Sequence, residues 1–226
     1  MSEDTSPLAN FAGIARLFPL PNLVLFPNAI QPLHIFEPRY RQMTADALDG
    51  DGLIALAVLQ PNWEKDYQGK PALYPVACLG KIVTNHRLED GRYNLFLRGL
   101  RRVRLLRELA GDKLYRQAEV ALLGDVEAPK AARTELRRRL AEALTAWFPT
   151  QGGIYTPLAK VVASDLPLGA VVDVLSFTLP LSLEVKQRQL EEVHVERRVA
   201  QLLEQAPAAT AAPADDHPFP PDFSAN

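Results

Sequence analysis

The sequence predicts an α+β protein, a β-rich part followed by an all-helical part, and three observations carry that reading. Period-2 alternation and short apolar runs dominate residues 14–124. Apolar residues recur at helical spacing through residues 125–205. Between the two, Glu127-Ala128-Pro129 places a proline where a first helical turn accepts one.

Taken in order, residues 1–13 are small and polar and read as a flexible arm. Prolines crowd the next segment, in Phe18-Pro19-Leu20-Pro21, Phe26-Pro27 and Gln31-Pro32. Each fixes its own φ and steers the preceding residue away from helix, so short extended pieces joined by tight turns are expected. Between Ile35 and Leu48, Tyr40, Met43, Ala47 and Leu48 recur at helical spacing behind Pro38, which predicts a helix. The continuous apolar run Leu53–Leu59 predicts a strand buried on both faces.

A hairpin is expected over Ile82–Arg98. Asp90-Gly91 suits a two-residue type I′ turn, which sets Glu89 opposite Arg92. Leu88, Tyr93, Leu95, Leu97 and Ile82 then share one face, with His86 on the same inward parity as a core histidine. Asn85, Arg87, Asn94 and Arg98 fall on the other. Val103 and Leu105 continue the apolar parity, and Ala118, Val120 and Leu122 make a weaker last strand.

In the helical part, Ala132, Leu136, Leu140, Leu144 and Trp147 mark a first helix, ended by Pro149 and Gly152-Gly153. Leu158, Val161 and Val162 mark a second. Leu168, Val171, Val172 and Leu175 mark a third, entered by the turn Asp165-Leu166-Pro167. Ser182 is placed to cap one long final helix that carries Leu183, Leu190, Val193, Val199, Leu202 and Leu203 inward. Residues 206–226 are dominated by Ala, Pro and Asp and read as a disordered tail.

Composition narrows function. A chain of 226 residues, 47% hydrophobic, can build a real core. The net charge of −2 gives the whole chain no nucleic-acid signature. Cys78 is the only cysteine, so no intrachain disulfide forms. The acidic N-terminus has no apolar h-region and no apolar stretch reaches membrane-spanning length, which together favour a cytoplasmic protein without a membrane anchor.

Templates for catalysis are missing. There is no G-x-x-x-x-G-K-[ST] loop, no G-x-S-x-G elbow and no H-E-x-x-H helix. His34, His86, His194 and His217 lie far apart, in no metal-ligand spacing. Cys78 stands in an apolar strand and reads as a buried, inert thiol. His34 with Glu37 suggests an acid–base pair only weakly. No nucleophile accompanies them, and Glu37 has Arg39 and Arg41 at hand as turn-fixing partners. No catalytic residue, metal or cofactor is expected.

Two other features invite binding readings. Arg98, Arg101, Arg102, Arg104 and Arg107 form a basic cluster that would suit RNA phosphates, but no aromatic is interleaved and a solvated strand face explains it as well. Trp63, in a loop-like setting after the buried strand, is either a lid over the core or an anchor for a partner.

The run Leu17-Phe18-Pro19-Leu20-Pro21-Asn22-Leu23-Val24-Leu25-Phe26-Pro27, continued by Gln31-Pro32-Leu33-His34-Ile35-Phe36-Glu37-Pro38-Arg39-Tyr40-Arg41, resembles the opening signature of the Lon protease N-terminal domain family. Gly80-Lys81-Ile82, Asp90–Leu95, Arg98-Gly99, Asp165–Gly169 and Lys186–Leu190 look like its later segments, with Glu191 departing from the usual leucine. The resemblance spans about 14–204. It implies a PUA-like β pseudo-barrel followed by a helical bundle. It also implies a role in recognising unfolded or tagged proteins and peptides, as an adaptor or regulator of proteolysis with a protease as a candidate partner. The ATPase and peptidase domains of full-length Lon are not expected in this chain, so an enzyme is not expected either.

Within the signature, Pro27, Pro32, Glu37 and Arg39 are expected to serve the fold, by stiffening turns and forming an ion pair. A groove is expected between barrel and bundle, with Phe36, Tyr40 and Trp63 as candidate peptide-binding residues. The alternative reading, an RNA-binding PUA-like module, would use Arg102 and Arg104 as contacts.

Overall fold

The computed structural model describes residues 8, 9, 11–66, 69–148 and 153–205. The expected tail (206–226), most of the expected arm and the breaker residues Pro149 and Gly152 lie outside the described residues.

Six strands come first: β1 (Ile14–Leu20), β2 (Ile30–Ile35), β3 (Leu53–Val58), β4 (Val76–Arg87), β5 (Tyr93–Leu109) and β6 (Gln117–Leu123), with helix α1 (Pro38–Leu48) between β2 and β3. Five helices follow: α2 (Lys130–Trp147), α3 (Tyr155–Ala163), α4 (Leu168–Thr178), α5 (Leu183–Glu191) and α6 (Val195–Glu204). The sheet runs β2-β5-β4-β3-β1-β6, and β6 pairs back onto β5. Strand β5 is long enough to take β2 on its first half and β6 on its second. The sheet thereby closes into a ring, with β1 and β3 as its parallel pair. This is the expected α+β pseudo-barrel followed by helices.

Closure explains the apolar run in β3. Leu53, Ala55 and Ala57 face the barrel interior beside Ala15, Leu17, Leu79, Val103 and Ala118. Ile54, Leu56 and Val58 face outward into a second cluster, made by Val24, Leu25 and Phe26 together with Tyr40, Met43 and Ala47 of α1. A strand buried on both faces has no polar parity to show. Alanine at two of the three inward positions of β3 leaves room for Leu17, Leu79 and Val103 inside the barrel. Pro38 opens α1 at its first position, as its missing N–H allows.

The hairpin keeps its strands but not its turn. Leu88 N–H donates to Arg92 O at 2.8 Å, leaving a three-residue loop of Glu89, Asp90 and Gly91, with Gly91 at φ +82°. A type I turn closed by a left-handed glycine gives this geometry. Arg92 therefore pairs with Asp90 at 2.7 Å and not with Glu89. The extra loop residue flips the parity of the strand below it. His86 is exposed, against expectation, while Arg87 lies over the Tyr93 ring at 5.8 Å. Val83 is then skipped in the β4–β5 register, and this bulge returns Ile82 to the buried face.

The long final helix is two helices. Glu192-Val193-His194 break it, because this stretch pairs with the linker after β6: Val126 N–H donates to Val193 O at 2.8 Å, and Val195 N–H donates to Val126 O at 3.0 Å. Backbone groups of the linker are satisfied there at the cost of one helical turn. Ser182 caps α5 as expected, accepting from Val185 N–H at 3.4 Å. The helices bury Leu136, Leu140, Leu144, Trp147, Val171, Leu175, Val199 and Leu202 in a cluster of their own.

Among the described residues, barrel and helices meet at a buried ionic knot. Arg102 of β5 is 1% exposed. It forms two bonds to Asp173 of α4, at 2.5 and 3.1 Å, and one to Asp125 at 3.3 Å. Arg198 of α6, fully buried, pairs with the same Asp173 and with Asp125 at 2.5 Å. A Cβ on Gly169 would stand 2.5 Å from Asp125 Oδ2, so α4 approaches the knot this closely only with glycine there.

Nearby, burial pushes Lys186 down to about 8, although its Nζ donates to Phe177 O at 2.8 Å. The folded pKa lies below the unfolded one, so between pH 8 and about 10.5 the unfolded chain holds a proton that the folded chain has released. Stability contributed by this residue rises with pH across that window. Urea midpoints should rise between pH 8 and about 9, above which the buried Cys78 thiol, protonated in the folded chain but ionising in the unfolded one, offsets the gain. Lys186→Met should remove the rise.

Candidate functional site

The groove of the β-rich part lies where the end of β1, the start of α1 and the β5–β6 loop converge. One lobe, of about 310 Å³, is walled by Pro19, Leu20, Pro21, Phe36, Tyr40, Leu59, Trp63 and Pro71, with Glu37, Arg39 and Arg116 at its margin. A second, of about 240 Å³, shares Pro19, Arg39, Tyr40 and Arg116 with the first and continues over Lys70, Glu108, Lys113, Leu114 and Tyr115. The channel thus has an apolar end and a basic end.

Local sequence explains the apolar end. Pro19, in register with Ala57 near the end of β1, and Pro21, just beyond it, have no N–H to give a ladder, and both line the cavity. Phe36 precedes Glu37-Pro38, where the chain turns from β2 into α1, and it stands 38% exposed. Its ring stacks on His34 at 6.1 Å, so it is held though exposed. Tyr40, one turn on, is buried against Phe18 at 4.5 Å between centroids and lies beneath the Arg39 guanidinium at 4.6 Å. It offers the groove a wall more than an anchor. Trp63 opens a short 3₁₀ turn and is half-buried.

Glu37 and Arg39 pair at 2.8 Å at the rim. Pro27 and Pro32 are buried away from the groove; Pro32 sits in β2 opposite Phe96. His34 bonds Asn94 at 2.6 Å and reaches no carboxylate of the groove.

The basic end was not anticipated from sequence. Lys113 pairs with Asp46 at 2.8 Å, and Tyr115 donates to the same carboxylate at 2.8 Å. The Lys113 contact holds the Asp46 carboxyl below its ordinary range, while burial and then Asp46 push the Tyr115 phenol up. Arg116 donates from Nη1 to Pro71 O at 2.8 Å and from Nε to Glu108 at 2.9 Å. Gly111-Asp112 between cationic side chains was the available signal: a turn that carries Lys113 and Arg116 back over the end of β1.

Two expectations are corrected. The groove containing Phe36, Tyr40 and Trp63 is lined by the β-rich part alone and not by residues from both sides of the barrel–bundle junction, where Asp173 is instead buried in ion pairs. The alternative RNA contacts also separate. Arg104 is exposed, but Arg102 is consumed by Asp173 and Asp125 inside the protein and faces no solvent. Both point away from the barrel interior; Arg102 runs under α4 and α6, Arg104 does not. Arg107 is paired with Glu119 at 2.6 Å.

The groove combines apolar walls with paired cationic and acidic side chains. Its described lining holds no Ser, Cys or His. Cys78 is fully buried, and burial pushes its thiol far up, which keeps it protonated and inert.

Residues 14–206 match the ATP-dependent protease La (LON) substrate-binding domain. The chain belongs to this family. "Lon protease 2" of Myxococcus xanthus is 26% identical over 195 residues, covering 84% of this chain and 23% of that protein. "Lon protease" of Anaeromyxobacter dehalogenans is 25% identical over 198 residues, again covering 23% of its length. The chain therefore spans about a quarter of these relatives. Among solved structures, the Lon N-terminal domain protein from Xanthomonas campestris is 26% identical with a TM-score of 0.61, covering 84% of this chain and 97% of that one. The N-terminal domain of the Mycobacterium avium complex Lon protease superposes with a TM-score of 0.68 at 17% identity, covering 86% and 98%, and shares the fold. In this Lon domain, as described, no helix is long and apolar enough to cross a membrane.

Proposed function

We propose that this Lon-type domain binds exposed apolar segments of unfolded or tagged proteins in the groove beside Trp63, without chemistry of its own. It serves proteolysis in the cytoplasm as an adaptor or regulator, with a protease as its working partner. One observation carries the reading: an exposed Phe36 and a half-buried Trp63 share a groove walled mainly by apolar side chains. Apolar grooves with a few flanking polar groups are the usual form of a recognition site, and aromatic anchors dominate such binding. Membership of the substrate-binding family supports protein segments as the ligand class.

The test is fluorescence anisotropy with a labelled protein kept unfolded by reduction and carboxymethylation. Trp63→Ala and Phe36→Ser should each weaken binding about tenfold, roughly 1.4 kcal/mol. Leu106→Ser, equally apolar and 59% exposed outside the groove, should change nothing. Equal affinities for all four proteins would refute the assignment of the groove.

A further inference from the structure

We propose that the groove accepts segments combining proline, aromatic and acidic residues, and that residues 215–223 of this chain occupy it in cis. The proposal rests on the groove being the binding site argued above. It goes further by naming the ligand chemistry and a built-in competitor.

The segment reads Asp215-Asp216-His217-Pro218-Phe219-Pro220-Pro221-Asp222-Phe223. It offers two phenylalanines among three prolines, flanked by three aspartates, and residues 206–226 contain no Lys or Arg. Outside this stretch the chain has 24 acidic residues against 25 basic ones, so the acidity of the protein is concentrated there. Proline-rich segments hold a polyproline II conformation before binding and lose little entropy when they dock. Aromatic- and proline-lined grooves are the surfaces that take them.

The groove matches on both counts. Phe36, Trp63 and Pro71 supply apolar faces for Phe219 or Phe223. The basic end holds Lys70, Lys113 and Arg116, with Arg39 at the junction of the two lobes. Three carboxylates, Glu37, Asp46 and Glu108, pair with Arg39, Lys113 and Arg116. Counting Lys70, and Asp112 beside Lys113, four cations meet four carboxylates, so the exposed Lys70 ammonium, and not a net surplus, is what meets the aspartates of the segment. Such complementarity sets register more than raw affinity.

Reach permits the arrangement. Thirteen residues lie between Gln205, in the last described turn, and Phe219, and the fourteen extended steps span about 45 Å. A folded body of about 200 residues measures about 40 Å across. Tethering raises the local concentration to the millimolar range, so an intrinsic affinity of about 1 mM half-fills the groove.

The experiment uses the full chain with Phe36 replaced by the photo-crosslinking analogue p-benzoylphenylalanine, followed by irradiation and mass spectrometry. Crosslinks to residues 215–223 within one chain, at a yield independent of protein concentration, are expected. They should vanish in the Phe219→Ser, Phe223→Ser double variant. That double variant, with Phe36 intact, should bind the carboxymethylated client about two- to tenfold tighter. Crosslinks that join two chains and grow with concentration would overturn the cis arrangement in favour of a second copy. Client binding through Trp63 with no tail crosslink and no effect of the double variant would sink this inference alone. Loss of the Trp63 dependence itself would remove the underlying groove reading as well.

Discussion

Asp173→Ala should destabilise the protein by about 3–5 kcal/mol, the range for breaking a buried ion pair by deleting one partner. The residue is 1% exposed and is shared by two guanidiniums, those of Arg102 and Arg198. Removing it leaves two buried positive charges with only Asp125, whose side chain is 27% exposed, to answer them. Arg102 keeps its bonds to the Leu190 and Gln189 carbonyls, at 2.9 and 3.4 Å, but these neutralise no charge. Asp173→Asn preserves shape and some hydrogen bonding and should cost less than the alanine variant. Urea unfolding followed by circular dichroism measures both. The buried Cys78 thiol gives a second readout, since it should react with an alkylating reagent only when the chain opens. A loss below about 1 kcal/mol for Asp173→Ala would mean that the knot contributes nothing net. Breaking it also frees α4 and α6 from β5, so we infer that barrel and helices then lose their joint unfolding and the transition broadens.

This knot marks where the sequence stopped being legible. Arg102 sits in a run of arginines on a strand parity opposite Val103, and nothing local separates it from Arg104. Its partners lie 23 and 71 residues away, in the linker and in α4. A buried arginine is revealed only when the tertiary fold brings two aspartates to it. Elements whose signal is local were readable: Pro38 at the start of α1, the two-faced burial of β3, Ser182 ahead of α5. Errors came from one-residue events. The third loop residue at Glu89–Gly91 cost the position of His86, and the Val83 bulge hid the error by restoring Ile82. The split after Glu191 follows from pairing with Val126, some 67 residues earlier, which no helical periodicity records. For the groove, Phe36, Tyr40 and Trp63 were picked out because they flank short elements, but they line a cavity within the β-rich part and not the expected one at the junction with the helices. Lys113 and Arg116 were not, because the β5–β6 loop carries them across the end of β1 only once the ring has closed.

Gly99→Ala should be at least as damaging as many core truncations, about 3 kcal/mol or more, and the reason lies in the turn between the two halves of the signature. Phe26-Pro27-Asn28-Ala29 closes with Ala29 N–H donating to Phe26 O at 3.2 Å, with Pro27 second and Asn28 third at φ +66°. Proline followed by a residue that tolerates positive φ is the pattern of a type II turn. The turn lies flat on β5. Asn28 N–H donates to Gly99 O at 2.9 Å, and Gly99 N–H donates to Ala29 O at 2.9 Å. A Cβ at Gly99 would stand 2.0 Å from the Phe26 carbonyl oxygen and 3.1 Å from Cys78 Sγ. The first contact is with backbone, which has no rotamer to yield. The turn must therefore lift, breaking both hydrogen bonds and withdrawing the fully buried Phe26 from its cluster. Overpacking alone costs about 1–3 kcal/mol, and losses above that arise when backbone must move as well. Gly124→Ala, where an added Cβ meets nothing within 4 Å, is the matched control and should stay within about 0.5 kcal/mol. Thermal melts of the two variants decide the matter. At roughly 2–4 °C per kcal/mol for a domain of this size, Gly99→Ala should melt at least about 6 °C below the parent. Similar melting temperatures for the two would show that the turn is not pinned to β5, and the tight Phe-Pro step of the signature would need another explanation.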